Sequence, residues 1–239
     1  MKKLLVIFCL VVSIFGNAQL NKGKYAGNDG ATKNMEFYDD NGNLIPIGFH
    51  PNIDGTPMLY PKYGIGKIKL QSDIILLDSV LNYSLVDDKL YFIREGKYYS
   101  FKQPVKEFTI KYVTDSSNIV IYHFKAGYPS IDNHTSSVLY ELLYEGTDFQ
   151  LLKWQHKKVE EQVHYGSATE KEFVTSYVYY LYLPSKGKME KFGLKVSQTD
   201  LKKILPDYAS KIDLYTNHNK INFKKETDLL LLFNFLESQ

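Results

Sequence analysis

A chain of 239 residues with a formal net charge of +2 carries no electrostatic instruction toward nucleic acid or any other charged partner. Its one cysteine, Cys9, excludes a disulfide and a cysteine-ligated zinc site, so the core must hold by packing alone. The 20 tyrosines and 14 phenylalanines, against a single tryptophan, favour a strand-rich fold because aromatic rings suit pleated, half-buried surfaces.

Residues 1–18 read as a signal peptide. Lys2 and Lys3 supply a positive start, and Leu4 to Phe15 an apolar run too short for a stable membrane anchor. Gly16-Asn17-Ala18 sets small residues at the −3 and −1 positions of a cleavage site, so the mature chain is expected to begin at Gln19. Cys9 lies within this segment, and Ile7 and Phe8 before it do not make a lipobox. No later apolar run is long enough to cross a membrane.

Residues 19–55 turn to Gly, Asn, Asp and Lys and read as a loosely ordered lead-in with one hairpin. Asp39-Asp40-Asn41-Gly42-Asn43, between Phe37-Tyr38 and Leu44-Ile45, has the Asn-Gly signature of a tight turn. A calcium loop would use Asp39, Asn41 and Asn43, but Leu44 replaces the glycine needed next and His50 the closing glutamate.

From Lys67 to Val113 the period is two, the mark of strands with one wet face. Lysines and aliphatics alternate in Lys67-Ile68-Lys69-Leu70; Leu81, Tyr83 and Leu85 alternate with Asn82 and Ser84; Phe108, Ile110 and Tyr112 with Thr109 and Lys111. Arg94-Glu95-Gly96-Lys97 is a hairpin connection between Leu90–Ile93 and Tyr98–Phe101. Strands continue over Asn118–Phe124, then, past a loop at Ala126–Thr135, as a hairpin of Ser137–Glu145 and Phe149–Gln155. Lys157 to Glu172 reads as a polar excursion before a tyrosine-dense strand, Phe173–Leu183.

After Pro184 the period becomes helical. Ser197-Gln198-Thr199-Asp200 resembles a capping box ahead of Leu201, Ile204 and Leu205, and Pro206 ends that helix. Tyr208, Ile212 and Tyr215 stripe a second helix, and Leu229, Leu232, Phe233 and Leu236 a third. The expected fold class is therefore β-rich α+β: an antiparallel meander or partly closed barrel with a short C-terminal helical cap. Its parts are the signal peptide, the lead-in 19–55, a β domain over 56–195 and a cap over 196–239 packed on it.

No motif assigns a catalytic, cofactor-binding or metal-binding residue. His156, Glu160 and His164, each four apart, would share one face of a helix and could hold zinc or iron, with His123 or His134 joining only through the fold. The alternation of Leu152, Trp154 and His156 points instead to a strand, which would carry Glu160 and His164 away. Asp87, Asp88, Glu141 and Glu145 are candidate carboxylates for a glycosidase pair, though Glu141 and Glu145 are explained by simple exposure on a strand. There is no G-x-S-x-G and no phosphate-binding glycine loop. Trp154 and the tyrosines could stack on sugars or simply pack the sheet. The lysines between Lys186 and Lys225 are scattered as on a solvated helix surface. Asp78-Ser79-Val80 resembles a bacterial O-glycosylation acceptor.

Asn17-Ala18-Gln19, Val105-Lys106-Glu107-Phe108, the run Tyr140 to Gly146 followed by Leu151-Leu152-Lys153, and Lys220-Ile221-Asn222-Phe223-Lys224-Lys225 resemble a group of uncharacterised exported proteins from gliding and gut-type Gram-negative bacteria. The resemblance covers most of the mature chain; it implies export and supplies no mechanism. The expectation is an exported envelope protein, periplasmic or extracellular, with a non-catalytic binding or scaffolding role. The alternatives are a carbohydrate-binding module using exposed aromatics and a secreted hydrolase with an unrecognised site. Its expected partners are envelope polysaccharide or another envelope protein, with no nucleic acid, no cofactor and no transmembrane segment after cleavage.

Overall fold

The computed structural model describes residues 37–39, 41–45, 53–162, 170–192 and 197–238; residues 1–18, read above as a signal peptide, lie outside them. Thirteen short and long runs join one sheet. In chain order they are β1 (Phe37–Tyr38), β2 (Leu44–Ile45), β3 (Ile53–Asp54), β4 (Gly64–Leu70), β5 (Ile75–Ser84), β6 (Lys89–Arg94) and β7 (Lys97–Ser100). There follow β8 (Val105–Val113), β9 (Ile119–Lys125), β10 (Tyr140–Glu145), β11 (Gln150–Gln162), β12 (Glu170–Leu183) and β13 (Lys188–Phe192). Three helices close the chain: α1 (Gln198–Ile204), α2 (Ala209–His218) and α3 (Glu226–Glu237).

Spatial order is β13-β12-β11-β10-β9-β8-β4-β5-β6-β7-β1-β2, with β3 also on β12. Two antiparallel meanders, β4 to β7 and β8 to β13, are thus joined where β8 returns to pair with β4. The class is the expected one, β-rich with a helical cap, and the sheet is open rather than closed into a barrel. It is also mixed, because β1 runs parallel to β7 and β3 parallel to β12. The described parts of the lead-in therefore add strands in two separate places.

Local chemistry accounts for the turns. Glu95 and Gly96 both take positive φ, 52° and 77°, in the two-residue connection between Arg94 and Lys97, the left-handed pair that matches strand twist. The Asp39 carboxylate accepts from the backbone N–H groups of Asn41 and Asn43 at 2.9 and 2.7 Å, so Asp39 and Asn43 build a turn between β1 and β2 rather than an ion loop.

The sheet curls at β4. Gly64 and Gly66 face its concave side, where a Cβ on Gly66 would lie 2.1 Å from the Thr109 carbonyl oxygen and 2.9 Å from Leu81 Cδ1. With no side chain there, β5 leans over the face, and Leu81, Tyr83, Leu85 and Leu90 close on Phe108 and Phe124. The Tyr83 and Phe124 rings are 4.7 Å apart, and Phe108 stacks on Phe124 at 4.8 Å. The curled hairpin reaches β11, where Lys157 N–H donates to the Leu85 carbonyl at 2.8 Å.

The helices cover the other end of the same concave face. Ser197 and Asp200 form the capping box that starts α1, each side chain satisfying the other's backbone N–H. Leu229, Leu232, Phe233 and Leu236 of α3 are buried against Phe149, Leu151, Leu181 and Phe192 of the sheet. On the convex side, loop 126–138 lays Tyr128 over Tyr140, Leu142, Leu152 and Tyr180.

Lys157–Glu172 reads as a polar excursion, but its described parts, Lys157–Gln162 and Glu170–Glu172, supply the far ends of β11 and β12, 13 and 14 residues long. Here apolar residues are few and fall on both faces, Val159 opposite Phe173 and Val174 opposite Lys158, so no clean alternation marks it; pairing holds it, with the Lys171 ammonium 2.8 Å from the Glu161 carboxylate across the strands.

Candidate functional site

The histidine spacing does not assemble as written. His156 and Glu160 lie on one strand, four residues or about 13 Å apart at ~3.3 Å per residue. Glu160 turns to Lys158 at 2.7 Å, and His164 lies outside the described residues. His123 is held on β9 by Glu107, 2.6 Å across the β8–β9 pair. Among the described residues no three His, Cys, Asp or Glu side chains converge as metal ligands.

What the fold does bring together is His134 with His156, on either hand of Trp154. Strand alternation puts Leu152, Trp154 and His156 on the convex face. His134 arrives from the loop through a two-residue turn, Asp132 and Asn133, both at positive φ (49° and 66°). That turn is pinned by Asp132, whose carboxylate accepts from Tyr180 Oη at 3.1 Å and meets Lys191 at 2.7 Å. The His134 ring then sits 4.4 Å from Trp154, and His156 stacks on the indole at 4.6 Å. No spacing rule in the sequence joins residue 134 to residue 156, and the segment Ala126–Thr135 reads only as a loop.

Burial pushes the His134 pKa below its usual value, helped by the positive charges of Lys191 and His156 and opposed by Asp132. His134 Nδ1 is 2.7 Å from Tyr140 Oη. Ser176 Oγ lies 3.1 Å and 3.3 Å from the two nitrogens of His156, off the lone-pair direction of either, so the imidazole is not aligned to take its proton. Among the described residues no carboxylate hydrogen-bonds to His156. A serine hydrolase site is not built here. Trp154 Nε1 is buried without a partner, so ring packing alone positions the indole.

On the concave face lies the strongest charge cluster. The Lys153 ammonium is 3.3 Å from Glu141 Oε2 on β10 and 3.0 Å from Glu226 Oε2 at the start of α3. Gln155 donates to Glu141 at 2.5 Å and Tyr179 Oη to Glu226 at 3.2 Å. Burial raises the Glu141 pKa, as does the Glu226 charge, against the pull of Lys153. Burial alone would lower the Lys153 pKa, but the two carboxylates overcome it and raise the net value. Glu141 was expected to be exposed on its strand. The structure corrects this: α3 lies over that face, and the Glu141 side chain is 8 % exposed. Two glycosidase carboxylates need open sides facing a sugar; here one lysine fills the space between them.

The remaining candidates also have internal partners, except that one carboxylate oxygen of Asp87, Oδ1, is buried without a hydrogen bond among the described residues. Asp87 and Asp88 accept hydrogen bonds from Tyr91 and Tyr83; burial, with the Asp87 charge, pushes Asp88 up to about 6 despite the Tyr83 bond. Glu145 pairs with Lys125 at 3.0 Å. In the cap, Lys202 meets Asp213 at 2.8 Å and Lys211 donates to the Leu236 carbonyl at 2.9 Å, closing the end of α3. A groove of about 370 Å³ beside α1 is lined by Asp148, Lys186, Tyr208 and Lys211, and there Asp148 accepts from Tyr208. The tyrosines of β12 split two and two between the faces, Tyr177 and Tyr179 toward the helices and Tyr180 and Tyr182 toward loop 126–138, and each pair packs against those elements. Asp78-Ser79-Val80 lies within β5 at a shift in its register with β4, Asp78 at φ 49°.

Among the described residues, the convex face of β5, β4, β8 and β9 stays open. In one row across it stand Val80, Ile65, Lys111 and Ile121; Val113 faces Ile119 in the next. Lys67 and Thr109 form the row on the other side, and Ile75 lies opposite Lys69. Ile65, Ile75, Leu77, Val113, Ile119 and Ile121 are between 44 % and 64 % exposed. Single exposed aliphatics are ordinary, but a contiguous block over adjacent strands marks an interaction surface. Comparison with protein-family models, with curated proteins and with solved structures gave no match.

Proposed function

We propose that this chain is an exported, non-catalytic binding protein of the cell envelope that docks through the convex sheet face. One observation carries the reading: the charge cluster of Glu141, Lys153 and Glu226 and the contact of His134 with Tyr140 are closed by their own partners, while the aliphatic block around Ile65 and Ile121 is open. Enzymes hold acids, bases and nucleophiles toward a cleft; here the apolar surface faces outward. The charged start, apolar run and Gly16-Asn17-Ala18 site support export, as does the resemblance to exported Gram-negative proteins. No helix among the described residues is long and apolar enough to cross a membrane, so envelope retention falls to the surface.

Two measurements test this. Mass spectrometry of the protein from its native host is expected to find an N-terminus at Gln19, and recovery of intact Met1 from the cytosol would refute export. Fractionation of those cells is expected to leave the chain with the envelope, and the pair Ile65→Asp and Ile121→Asp to release most of it into the soluble fraction. Both positions are exposed strand sites, so the variant is expected to keep its fold, checked by circular dichroism. Unchanged retention in a folded variant refutes the docking face.

A further inference from the structure

The convex face carries charge as well as hydrocarbon. Lys67 and Lys111 stand exposed inside the aliphatic block. Among the described residues neither meets a carboxylate, whereas Lys69 and Lys106 at its margin share Asp73 at 3.2 and 3.1 Å. We propose that the partner of this face is an anionic lipid surface, an assignment that rests on the docking reading above.

Three kinds of occupant differ in the chemistry that they would bring to this face. A second copy packed on this face about a two-fold axis would bring the Lys67 and Lys111 ammonium groups of both copies into one interface, where neither has a carboxylate partner among the described residues, and like charges gathered there oppose association. A polysaccharide is read by flat rings and directed hydrogen bonds; the six side chains of the block are aliphatic and can supply neither. A lipid leaflet offers both halves of the match. Acyl chains accept Ile65, Ile119, Ile121 and Leu77, and phosphates at the headgroup level meet ammonium groups carried on long apolar stems. The block spans four adjacent strands, about 14 Å at ~4.8 Å per strand spacing, which seats side chains from several strands on one leaflet at once.

The experiment is flotation of the purified protein lacking residues 1–18 with vesicles of phosphatidylcholine alone and of phosphatidylcholine with about a quarter phosphatidylglycerol. Binding is expected only to the anionic vesicles and to weaken as salt is added. Lys67→Gln with Lys111→Gln is expected to cut partitioning about thirtyfold, from about fivefold per lysine. Ile121→Asp is expected to reduce it comparably, and Lys188→Gln, a change at a lysine paired with Glu190 away from the face, to leave it unchanged. Equal binding to both vesicle types, no binding to either, or an unaffected lysine pair each overturns the lipid assignment. If vesicles fail while envelope retention still depends on Ile65 and Ile121, the docking face stands and its partner is a protein or polysaccharide. If both fail, both readings fall.

Discussion

Phe233→Ala is expected to destabilise the whole protein by about 3–5 kcal/mol, lowering the melting temperature by roughly 10 °C in one cooperative calorimetric transition. Phe233 is fully buried and meets Phe149 at 5.1 Å, Tyr144 at 6.0 Å and Phe192 at 6.2 Å. Three of its aromatic neighbours thus come from the sheet, and truncation to Ala opens a cavity between cap and sheet that neither can close alone. The same neighbours make α3 part of the sheet's core, so removal of residues after Lys225 is expected to leave a poorly soluble remnant. A truncated chain that stays soluble and melts like the full one would show the helices to be an independent appendage.

The second large effect is expected at Lys153. Lys153→Met removes the one ammonium between Glu141 and Glu226, leaving a buried carboxylate without its counter-charge, at a cost of about 3–5 kcal/mol. The pH dependence has a definite sign. The Glu141 pKa is raised in the folded protein above its ordinary 4.5, so its contribution to stability is complete below that value and is lost as pH rises through the folded pKa. Without Lys153 the folded pKa rises further. The deficit of the variant is therefore expected to be largest at neutral pH and to shrink in acid, where Glu141 takes up a proton. Urea unfolding of wild type and variant at several pH values measures it. Adding Glu141→Gln is expected to restore most of the loss at neutral pH, because the amide removes the stranded charge. A deficit independent of pH, or no rescue, would mean that packing around the Lys153 stem dominates instead.

Much of the fold was legible because burial writes a period into the chain. Ile68 and Leu70, or Phe108, Ile110 and Tyr112, face one core while their neighbours face water, and that alternation gave the strands. The α3 stripe was readable for the same reason, since one side of the helix is covered. Where both sides of a strand are wet, as over Lys158–Glu161, the period vanishes and only the register with β12 defines the strand. The candidate site was less legible. Glu141 reads as an exposed strand acid until α3 is laid across it, and the meeting of His134 with Trp154 depends on a loop turn, not on spacing. The exposed block around Lys111 was present in the alternation of Thr109, Lys111 and Val113, but its contiguity with Ile65 and Ile121 comes from strand order, which no local pattern encodes.

The two parallel pairings have a consequence for the time course of folding. Ile53 pairs with Lys171, and Phe37 with Tyr98, so each leading segment docks on a strand made much later in synthesis. Antiparallel hairpins such as β6–β7 need only neighbouring residues and can close as they emerge, whereas contacts so far apart in sequence wait on the loss of a large loop entropy. The residues that leave the ribosome first are thus among the last to find their places, and the edges that they cover stay unpaired until then. Those bare edges, rather than the finished surface, are where a nascent chain of this kind is most exposed to mispairing with its neighbours.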